Sequence, residues 1–444
     1  MRKRWLTVFV SSLMVSAVLA GCGKGGSEPQ AGGGEPQTGT KEPPAGASEP
    51  QKPLEPVTLT MMQTQSYWTD DDFNALIAEP VKKKYPHITV EFVKGKVEQA
   101  LTEGAQIDLI AVWNGLMPQY DDMKLFEDIT PYVQKFNIDL SRFDPGALDA
   151  VKGATASGKL YGLPNMVQFN ALYYNKDIFD KFAVAYPSDG MTWEDTLELA
   201  KKVTRLDNGT QYIGWDPDYL TRLLTPLSLG IVDGRTETPD VNSEPYRRVF
   251  ELAKKIYEIP GNTPKEGIMK GSTTDRFIKN KNSAMLTTVN IIPQLVKATD
   301  LNWDVAQYPS YKERPNMYQA YDLHIMALSS ISKHKEDAMR VMEVLFSDEV
   351  QLLSSQRGKP TLMKDPKFNQ AFLKDVPELQ GKNIQGIFKS KPAPATPPYS
   401  VYYSNARGTL VERFREYAQN QKDVNTALRE AEEQITKYIA SQKQ

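Results

Sequence analysis

Short apolar runs alternate with longer amphipathic runs along the chain from residue 57 onward. Three apolar runs near its start are predicted strands: 57–62, 88–93 and 107–112. Between the first two predicted strands, apolar residues recur with a helical period, which predicts a helix from Phe73 to Lys84. Asp70–Asp72, just ahead of this helix, could suggest a metal site, but a capped helix N-terminus with acids complementing the dipole is favoured. Strand–helix–strand spacing of this kind favours an α/β fold with a parallel sheet covered by helices.

The middle and the end of the chain have a mainly helical pattern. Thr192 is a predicted N-cap with Asp195 three residues later, a variant of the capping box, and this helix is predicted to run to Thr204. Further helices are predicted over 246–258, 335–346, 409–419 and 424–441, and a strand over 323–328.

The first 22 residues have the layout of an export signal. Three basic residues at 2–4 precede an uncharged apolar stretch that ends in Leu19-Ala20-Gly21-Cys22. This tetrapeptide resembles the lipobox of bacterial lipoproteins, which implies that residues 1–22 are a signal peptide and that Cys22 is lipidated. Two acyl chains hold a protein on a membrane durably. The alternatives are a plain signal peptide with an incidental cysteine and an uncleaved N-terminal anchor.

Residues 23–56 are predicted to be a disordered tether. Eight of these 34 residues are glycine and seven are proline, and Leu54 is the only large aliphatic residue. Such a segment cannot bury enough apolar surface to offset its chain entropy. Proline keeps it extended, so it would space a folded body away from the anchor.

Charge and cysteine content exclude several classes of function. The net charge is −2, from 53 basic and 55 acidic residues, so no basic excess is available for nucleic acid. One cysteine excludes an internal disulfide and a multi-cysteine zinc site. Three histidines, far apart in sequence, leave little for a histidine metal centre. We therefore predict no metal and no cofactor.

Several short motifs, taken together and in order, resemble one known family. Gly-Lys-Leu-Tyr-Gly-Leu-Pro at 158–164 is followed by Ala-Leu-Tyr-Tyr-Asn-Lys-Asp-Ile-Phe at 171–179 and by Thr-Trp-Glu-Asp at 192–195. Matching pieces also occur at 85–90, 332–338 and 427–435. Over about residues 57–440, the chain resembles extracellular solute-binding protein family 1, which includes maltose-binding protein.

The resemblance implies a two-lobe α/β fold of the type II periplasmic-binding class, with a ligand cleft between lobes joined by crossing strands. The expected first lobe is 57–165 plus about 320–358, and the expected second lobe is 166–319 plus about 359–444. Crossings are expected between Pro164 and Tyr173 and near Tyr318–Leu323. The implied function is capture of a carbohydrate, with an oligosaccharide favoured, for the permease of an ABC importer. The protein would be a monomer, lipid-anchored on the outer face of a bacterial membrane, with a Gram-positive source favoured.

A sugar site needs flat aromatic surfaces flanked by planar polar side chains. Trp68 and Trp113 follow predicted strands, where ligands of open α/β sheets bind, and Trp215 lies in an irregular stretch. The family resemblance implies that Gln168, Tyr403 and Arg407 face the cleft, and Asp322 lies at the second expected crossing. The predicted platforms are Trp68, Trp113, Trp215 and Tyr403; the predicted hydroxyl-binding groups are Gln168, Asp322 and Arg407; Asn114 and Tyr219 are further candidates.

One departure from the family makes maltose itself doubtful. After Ala284-Met285 the family often has glycine and tryptophan, whereas this chain continues Leu-Thr-Thr-Val-Asn. Two other readings stay open. Several acids converging in the cleft (Asp216, Asp218 and Asp322) would suit a polyamine or another non-sugar solute. A lipid-anchored carbohydrate-active enzyme would use two carboxylates, although the chain has no serine elbow, Walker loop or HExxH motif.

Overall fold

The computed structural model describes residues 55–65 and 67–443, so Cys22, the signal segment and most of the tether lie outside the described residues. The strands are β1 (Val57–Gln63), β2 (Ile88–Lys94), β3 (Leu109–Trp113), β4 (Gly162–Val167), β5 (Asn170–Asn175), β6 (Arg205–Asp207), β7 (Thr210–Tyr212), β8 (Val232–Asp233), β9 (Thr238–Pro239), β10 (Met285–Val289), β11 (Trp303–Ala306), β12 (Met317–Ala320), β13 (Leu323–Leu328) and β14 (Lys391–Ala393).

The α-helices of this region are α1 (Asp70–Phe73), α2 (Glu79–Lys84), α3 (Val97–Thr102), α4 (Met117–Asp122), α5 (Thr130–Lys135), α6 (Pro145–Lys152), α7 (Lys176–Lys181), α8 (Trp193–Val203), α9 (Thr221–Leu224), α10 (Glu244–Glu258), α11 (Thr273–Ile278), α12 (Ile292–Leu295), α13 (Lys335–Leu345), α14 (Asp348–Gln356), α15 (Pro366–Gln370), α16 (Tyr403–Ala418) and α17 (Val424–Gln442). Between residues 55 and 443, Ser66 aside, no helix is both long and apolar enough to cross a membrane.

The first lobe is built on a five-stranded sheet with the order β2-β1-β3-β13-β4. β1, β2 and β3 are parallel, as the strand–helix–strand pattern predicts, whereas β13 runs antiparallel to both β3 and β4. The helix after β1 starts with the expected cap: the Thr69 side chain accepts from the Asp72 amide, and the Asp72 carboxylate accepts in return from the Thr69 amide. Asp72 also pairs with Arg357 and Lys359, so the acidic triplet is part of a helix start and an ion-pair network.

The second lobe has its own core around a three-stranded antiparallel sheet of the order β10-β5-β11. Helices α8, α10, α16 and α17 contribute apolar faces to this core. The predicted capping box at the start of α8 is present, with Thr192 and Asp195 exchanging hydrogen bonds. Apolar residues therefore fall into two separate buried clusters, one for each lobe.

The chain passes between the two cores three times. Gln168 and Phe169 join β4 of the first lobe to β5 of the second, and Tyr321 and Asp322 join β12 to β13 on the return. Leu362, Met363 and Phe368 pack in the first core, and Phe372 is in the second. The third passage therefore follows Phe368, later than the expected boundary at 358, because the segment after α14 still covers the first lobe.

Candidate functional site

Aromatic rings from both lobes meet between them. Trp113 is the last residue of β3, Tyr403 is the first residue of α16, and Tyr399 lies four residues before it. The ring centroid of Trp113 is 5.4 Å from that of Tyr399 and 6.4 Å from that of Tyr403. The two tyrosine rings are perpendicular at 5.0 Å. We call these three residues the aromatic cluster, and all three are half-buried.

A polar network lies beside the aromatic cluster and is organised by Arg222. Its guanidinium donates to both carboxylate oxygens of Asp218, at 2.8 and 3.1 Å, and to the side-chain oxygen of Gln319 at 2.7 Å. The Thr288 hydroxyl also donates to Asp218, at 2.8 Å. Burial disfavours the charge on Arg222, but the Asp218 carboxylate outweighs burial and raises the pKa of the guanidinium. Arg222 and Asp218 therefore form a charged pair whose geometry is fixed by its neighbours.

The network reaches two of the segments that join the lobes. The amide nitrogen of Gln319 donates to the Asp322 carboxylate at 3.0 Å and to the backbone oxygen of Gln168 at 3.3 Å. Burial raises the pKa of Asp322, while the Arg222 charge and the nearby Trp113 indole and Gln319 amide act in the opposite direction. The Trp113 nitrogen has no hydrogen bond of normal geometry within the described structure. Asp322 is thus a buried carboxyl held between the lobes by the neutral amide of Gln319.

Tyr219 and Arg407 extend the site towards solvent. The Arg407 guanidinium carbon lies 5.4 Å from the Tyr219 ring centroid and 5.7 Å from that of Tyr403. Tyr219 is 48% exposed, and Arg222 approaches its ring at 5.8 Å. Two cations against one half-exposed ring hold an aromatic surface at the rim of the cleft.

The first-lobe wall of the site contains a buried histidine. His324 is 4% exposed, and its ring centroid lies 3.9 Å from that of Tyr67. Its Nε2 atom is 3.5 Å from the side-chain amide nitrogen of Gln168. Burial lowers the pKa of His324 to about 3, so the imidazole is neutral at physiological pH.

The side chains present at the site define what it can bind. Among residues 55–65 and 67–443, no group of three His, Cys, Asp or Glu side chains could hold a metal ion. What the site offers is aromatic faces, an oriented ion pair, a carboxyl and amide groups, brought together at the junction of the two lobes. That combination suits binding of a polar solute with apolar faces.

Comparison with protein families decides the broader class. The family model described as "Bacterial extracellular solute-binding protein" matches residues 76–396, which is well over half of the chain. The chain belongs to this family.

Solved structures with a similar fold support the two-lobe architecture. The solute-binding protein is similar to an ABC substrate-binding protein from Listeria monocytogenes in complex with cycloalternan, with a TM-score of 0.69 at 20% identity, covering 87% of this chain and 100% of that one. A sugar transporter from Rhizobium etli in an open conformation gives 0.69 at 21% identity, covering 86% and 99%. The sugar-binding protein MalE from Xanthomonas citri gives 0.68 at 18% identity, covering 87% and 98%. The predicted two-lobe α/β fold is confirmed.

Three residues predicted to contact ligand lie in the interior of the solute-binding protein instead. Trp68 is 3% exposed in the first core, because Gln63 bonds both its backbone nitrogen and its backbone oxygen and turns the indole inward. Trp215 is fully buried: its indole stacks on Trp193 at 5.4 Å and donates to Thr287 at 3.0 Å.

Asn114 is the third of these residues, with 4% exposure. Its side-chain amide donates to the Tyr321 backbone oxygen at 2.9 Å and accepts from the Leu323 amide at 3.2 Å. Both ends of the side chain are therefore used to fasten β3 to the second crossing. The other predicted residues, Trp113, Gln168, Tyr219, Asp322, Tyr403 and Arg407, are brought together at the cleft in the geometry described above.

Sequence reasoning left several cleft residues out of the predicted site: Tyr67, Arg222, Gln319, His324 and Tyr399. Two of them carried a usable signal. Tyr399 lies just ahead of Tyr403 in the same aromatic-rich segment, and Arg222 stands four residues after Asp218, the spacing of a helical ion pair. Gln319 and His324 flank the second crossing. They could have been predicted only if the strand register of β12 and β13 had been known.

Proposed function

We propose that this solute-binding protein captures a carbohydrate in the cleft and delivers it to the permease of an ABC importer. It does so as a monomer held at the outer face of the cell membrane through a lipid on Cys22. The observation that carries the proposal is the aromatic cluster, to which both lobes contribute, beside the Arg222–Asp218 network. A ligand that contacts both lobes stabilises the closed state, so the permease can distinguish the loaded protein from the empty one by its conformation.

The chemistry of the cleft matches a sugar in two respects. Sugar rings have apolar C–H faces, which stack on Trp113, Tyr399 and Tyr403. They also have hydroxyl edges that both donate and accept hydrogen bonds, and planar groups such as Gln319 and Arg407 satisfy them. We infer an oligosaccharide because three of the structural neighbours are described with one: cycloalternan, mannotriose and maltose.

Structural neighbours give a set of compounds to test. Those described with a bound ligand include proteins in complex with cycloalternan, mannotriose, maltose, α-D-tagatose and D-mannitol. Each compound belongs to its own protein, but all five are neutral polyols. This shared chemistry supports a neutral carbohydrate or polyol here.

A polyamine or another cationic solute is the less favoured alternative. It requires several uncompensated acids in the cleft, and two of the three candidate acids already have cationic partners. Asp216 is buried against Arg276 at 2.6 Å, and Asp218 is bound by Arg222. Asp322 alone remains, and burial raises the pKa of its carboxyl. A cation would therefore find too little negative charge.

A carbohydrate-active enzyme is a further alternative, and it needs a pair of carboxylates free to act as acid and base. Both carboxylate oxygens of Asp218 are already engaged, by Arg222 and by Thr288, so this side chain is not free to act on a bound ligand. Incubation with each oligosaccharide and analysis of products would decide this point, since turnover would overturn the binding-only proposal.

The main experiment is calorimetric titration of the purified protein with cycloalternan, mannotriose, maltose, tagatose and mannitol, with spermidine as the cationic comparison. We expect at least one carbohydrate to bind and spermidine not to bind. Central aromatic anchors commonly cost about 2 kcal/mol or more on truncation, so Trp113→Ala and Tyr403→Ala should each weaken binding roughly thirtyfold.

Tyr186→Ala is the matched control for these variants, because Tyr186 is a partly exposed tyrosine that packs on Tyr174 and Phe179 in the second lobe. It should leave the affinity unchanged. Near-native affinity in both Trp113→Ala and Tyr403→Ala would contradict the placement of the cleft. Tight binding of spermidine with no response to any carbohydrate would replace the sugar proposal with the cationic one.

A further inference from the structure

Tyr67 and His324 form a polar wall on the first-lobe side of the cleft. Tyr67 follows β1, and His324 is the second residue of β13, directly after the second crossing. Gln168, on the first crossing, reaches the same imidazole. In the sheet, His324 pairs with Trp113 across β13 and β3, and directly paired residues project from the same face. The wall therefore stands next to the indole of the aromatic cluster.

The contact with Gln168 assigns the tautomer of His324. The Gln168 side-chain nitrogen lies 3.5 Å from Nε2, and an amide nitrogen can only donate a hydrogen bond. Nε2 is therefore the accepting nitrogen, and the ring proton is on Nδ1. A neutral imidazole in this tautomer presents one N–H donor on the side away from Gln168.

That donor has no acceptor in the part of the chain that the structure describes. Nδ1 of His324 and the hydroxyl of Tyr67 are both buried, and neither has a hydrogen-bond partner there. A buried polar group without a partner retains the full cost of its desolvation, so such groups are usually hydrogen-bonded to protein, to ordered water or to a bound molecule. Nδ1 of His324 and the Tyr67 hydroxyl belong to two rings that contact each other at the edge of the cleft. A ligand bound there would supply the hydrogen bonds that these two groups lack.

We propose that Tyr67, His324 and Gln168 form a hydroxyl-binding subsite that holds an uncharged sugar ring against the first lobe, next to Trp113. The inference rests on the proposed function and makes it more specific. The Nδ1–H of His324 donates to one ring hydroxyl, and the Tyr67 hydroxyl bonds to the same hydroxyl or to the one beside it.

The charge of the wall limits the class of ring that it accepts. Burial lowers the pKa of His324 and raises that of Tyr67, so both groups are neutral throughout the physiological range. A neutral wall offers no counter-ion to a carboxylate or a phosphate, and burying such a group there would be costly. The ring in this subsite is thus a plain neutral sugar or polyol.

The test uses three single-site variants and the panel carbohydrate that gives the largest thermal shift. Tyr67→Phe removes only the hydroxyl, and we expect about tenfold weaker binding. His324→Asn keeps an N–H near the position of Nδ1 and should bind within about threefold of the wild type. His324→Gln places its amide near Nε2 instead, and we expect tenfold or greater loss. A purely structural histidine would not separate Asn from Gln in affinity.

Tyr257→Phe is the matched control, because the Tyr257 hydroxyl is also buried without a partner of normal geometry but packs beside Phe414 in the second core. It should leave the affinity unchanged. In the ligand-free protein, Tyr67→Phe should melt no lower than Tyr257→Phe does, since neither hydroxyl has a partner to lose. A clearly lower melting temperature for Tyr67→Phe would show that its hydroxyl is used structurally, and would overturn the subsite.

The two proposals fail in different ways. If a panel carbohydrate binds and both Tyr67→Phe and His324→Gln keep native affinity, the subsite is refuted and the carbohydrate function stands. If no panel carbohydrate binds, the carbohydrate function fails, and the ligand-free melting comparison still decides whether the Tyr67 hydroxyl is available for a ligand.

Discussion

Gly115 controls where the indole of Trp113 can lie. It follows β3 by two residues, and a Cβ atom placed there would lie 2.3, 2.4 and 2.6 Å from Cη2, Cζ3 and Cζ2 of Trp113. Gly115 does not have a positive φ, so alanine meets no backbone strain at this position. Gly115→Ala therefore acts on the Trp113 ring and leaves every proposed ligand-contacting side chain chemically intact.

The size of the effect follows from the required displacement. Ordinary contact begins at 3.4 Å, so the far edge of the indole must move by about 1 Å. Its centroid distances to Tyr399 and Tyr403 would then leave their present values of 5.4 and 6.4 Å. Each aromatic pair contributes about 0.5–1.5 kcal/mol beyond burial. Partial loss of two pairs, together with a misplaced sugar platform, should cost about 1–2 kcal/mol of binding, roughly five- to thirtyfold in affinity.

The assay is calorimetric titration with the best panel carbohydrate, alongside the melting temperature of each variant. Gly408→Ala is the control, because Gly408 lies in α16 with no atom within 4 Å of the added methyl group. It should keep the affinity and slightly raise the stability, as alanine usually does in helices. In a Trp113→Ala background, Gly115→Ala should cost nothing further, because the ring that it displaces is gone. Native affinity in Gly115→Ala, or a full additional loss in the double variant, would refute this reasoning.

Three further predictions concern the anchor, the polar network and acid stability. Cys22→Ser should release the protein into the medium or leave it unprocessed, whereas membrane retention of the processed form would count against the lipobox. Arg222→Lys loses the planar guanidinium that holds Asp218 and Gln319. Calorimetric titration should therefore show about tenfold weaker ligand binding, with a lower melting temperature. An unchanged affinity would show that Arg222 is not part of the site. The pKa of His324 is about 3 in the folded protein, against 6.5 for an exposed histidine. Between these two pH values the unfolded chain binds a proton that the folded protein does not. The free energy of unfolding therefore falls as the pH drops from 6.5 to 3. The total is up to about 5 kcal/mol. His324→Asn should flatten the pH dependence of stability measured by urea titration between pH 6.5 and 4, and an unchanged slope would contradict this prediction.

Local sequence signals predicted much of the fold. Thr192 caps the helix start that it predicted, because an N-cap needs only its own side chain and an amide a few residues later. The acids at 70–72, expected just ahead of a helix from Phe73, instead form its first turn, with Thr69 as the cap. The order of strands and helices likewise predicted an α/β sheet. The antiparallel insertion of β13 between β3 and β4 had no local signal, since it depends on a strand that is more than 200 residues from β3 in the sequence.

The direction of a large aromatic side chain was the least predictable feature of the site. Trp68 and Trp113 both follow predicted strands and Trp215 lies in an irregular stretch; of the three, Trp113 is the one whose ring packs against rings of the other lobe. Trp215 turns inward because Asn262, 47 residues later, bonds its backbone nitrogen and its backbone oxygen. A contact between residues so far apart in the sequence leaves no periodic pattern from which it could be predicted. Strand-end position therefore predicts the neighbourhood of a cleft and leaves the side-chain direction to tertiary contacts.

The same residues serve the binding site and the junction between the lobes. Gln168 and Asp322 lie on two of the crossings, and Gln319 bonds to both of them as well as to Arg222. Movement of one lobe against the other changes backbone angles at these positions, so it also moves the groups proposed to bind hydroxyls. Conversely, a ligand that holds Gln319 and Asp322 in one arrangement favours one angle between the lobes. Substitutions at Gln319 should therefore change affinity and lobe closure together, whereas substitutions at the rim residue Tyr219 should change affinity alone.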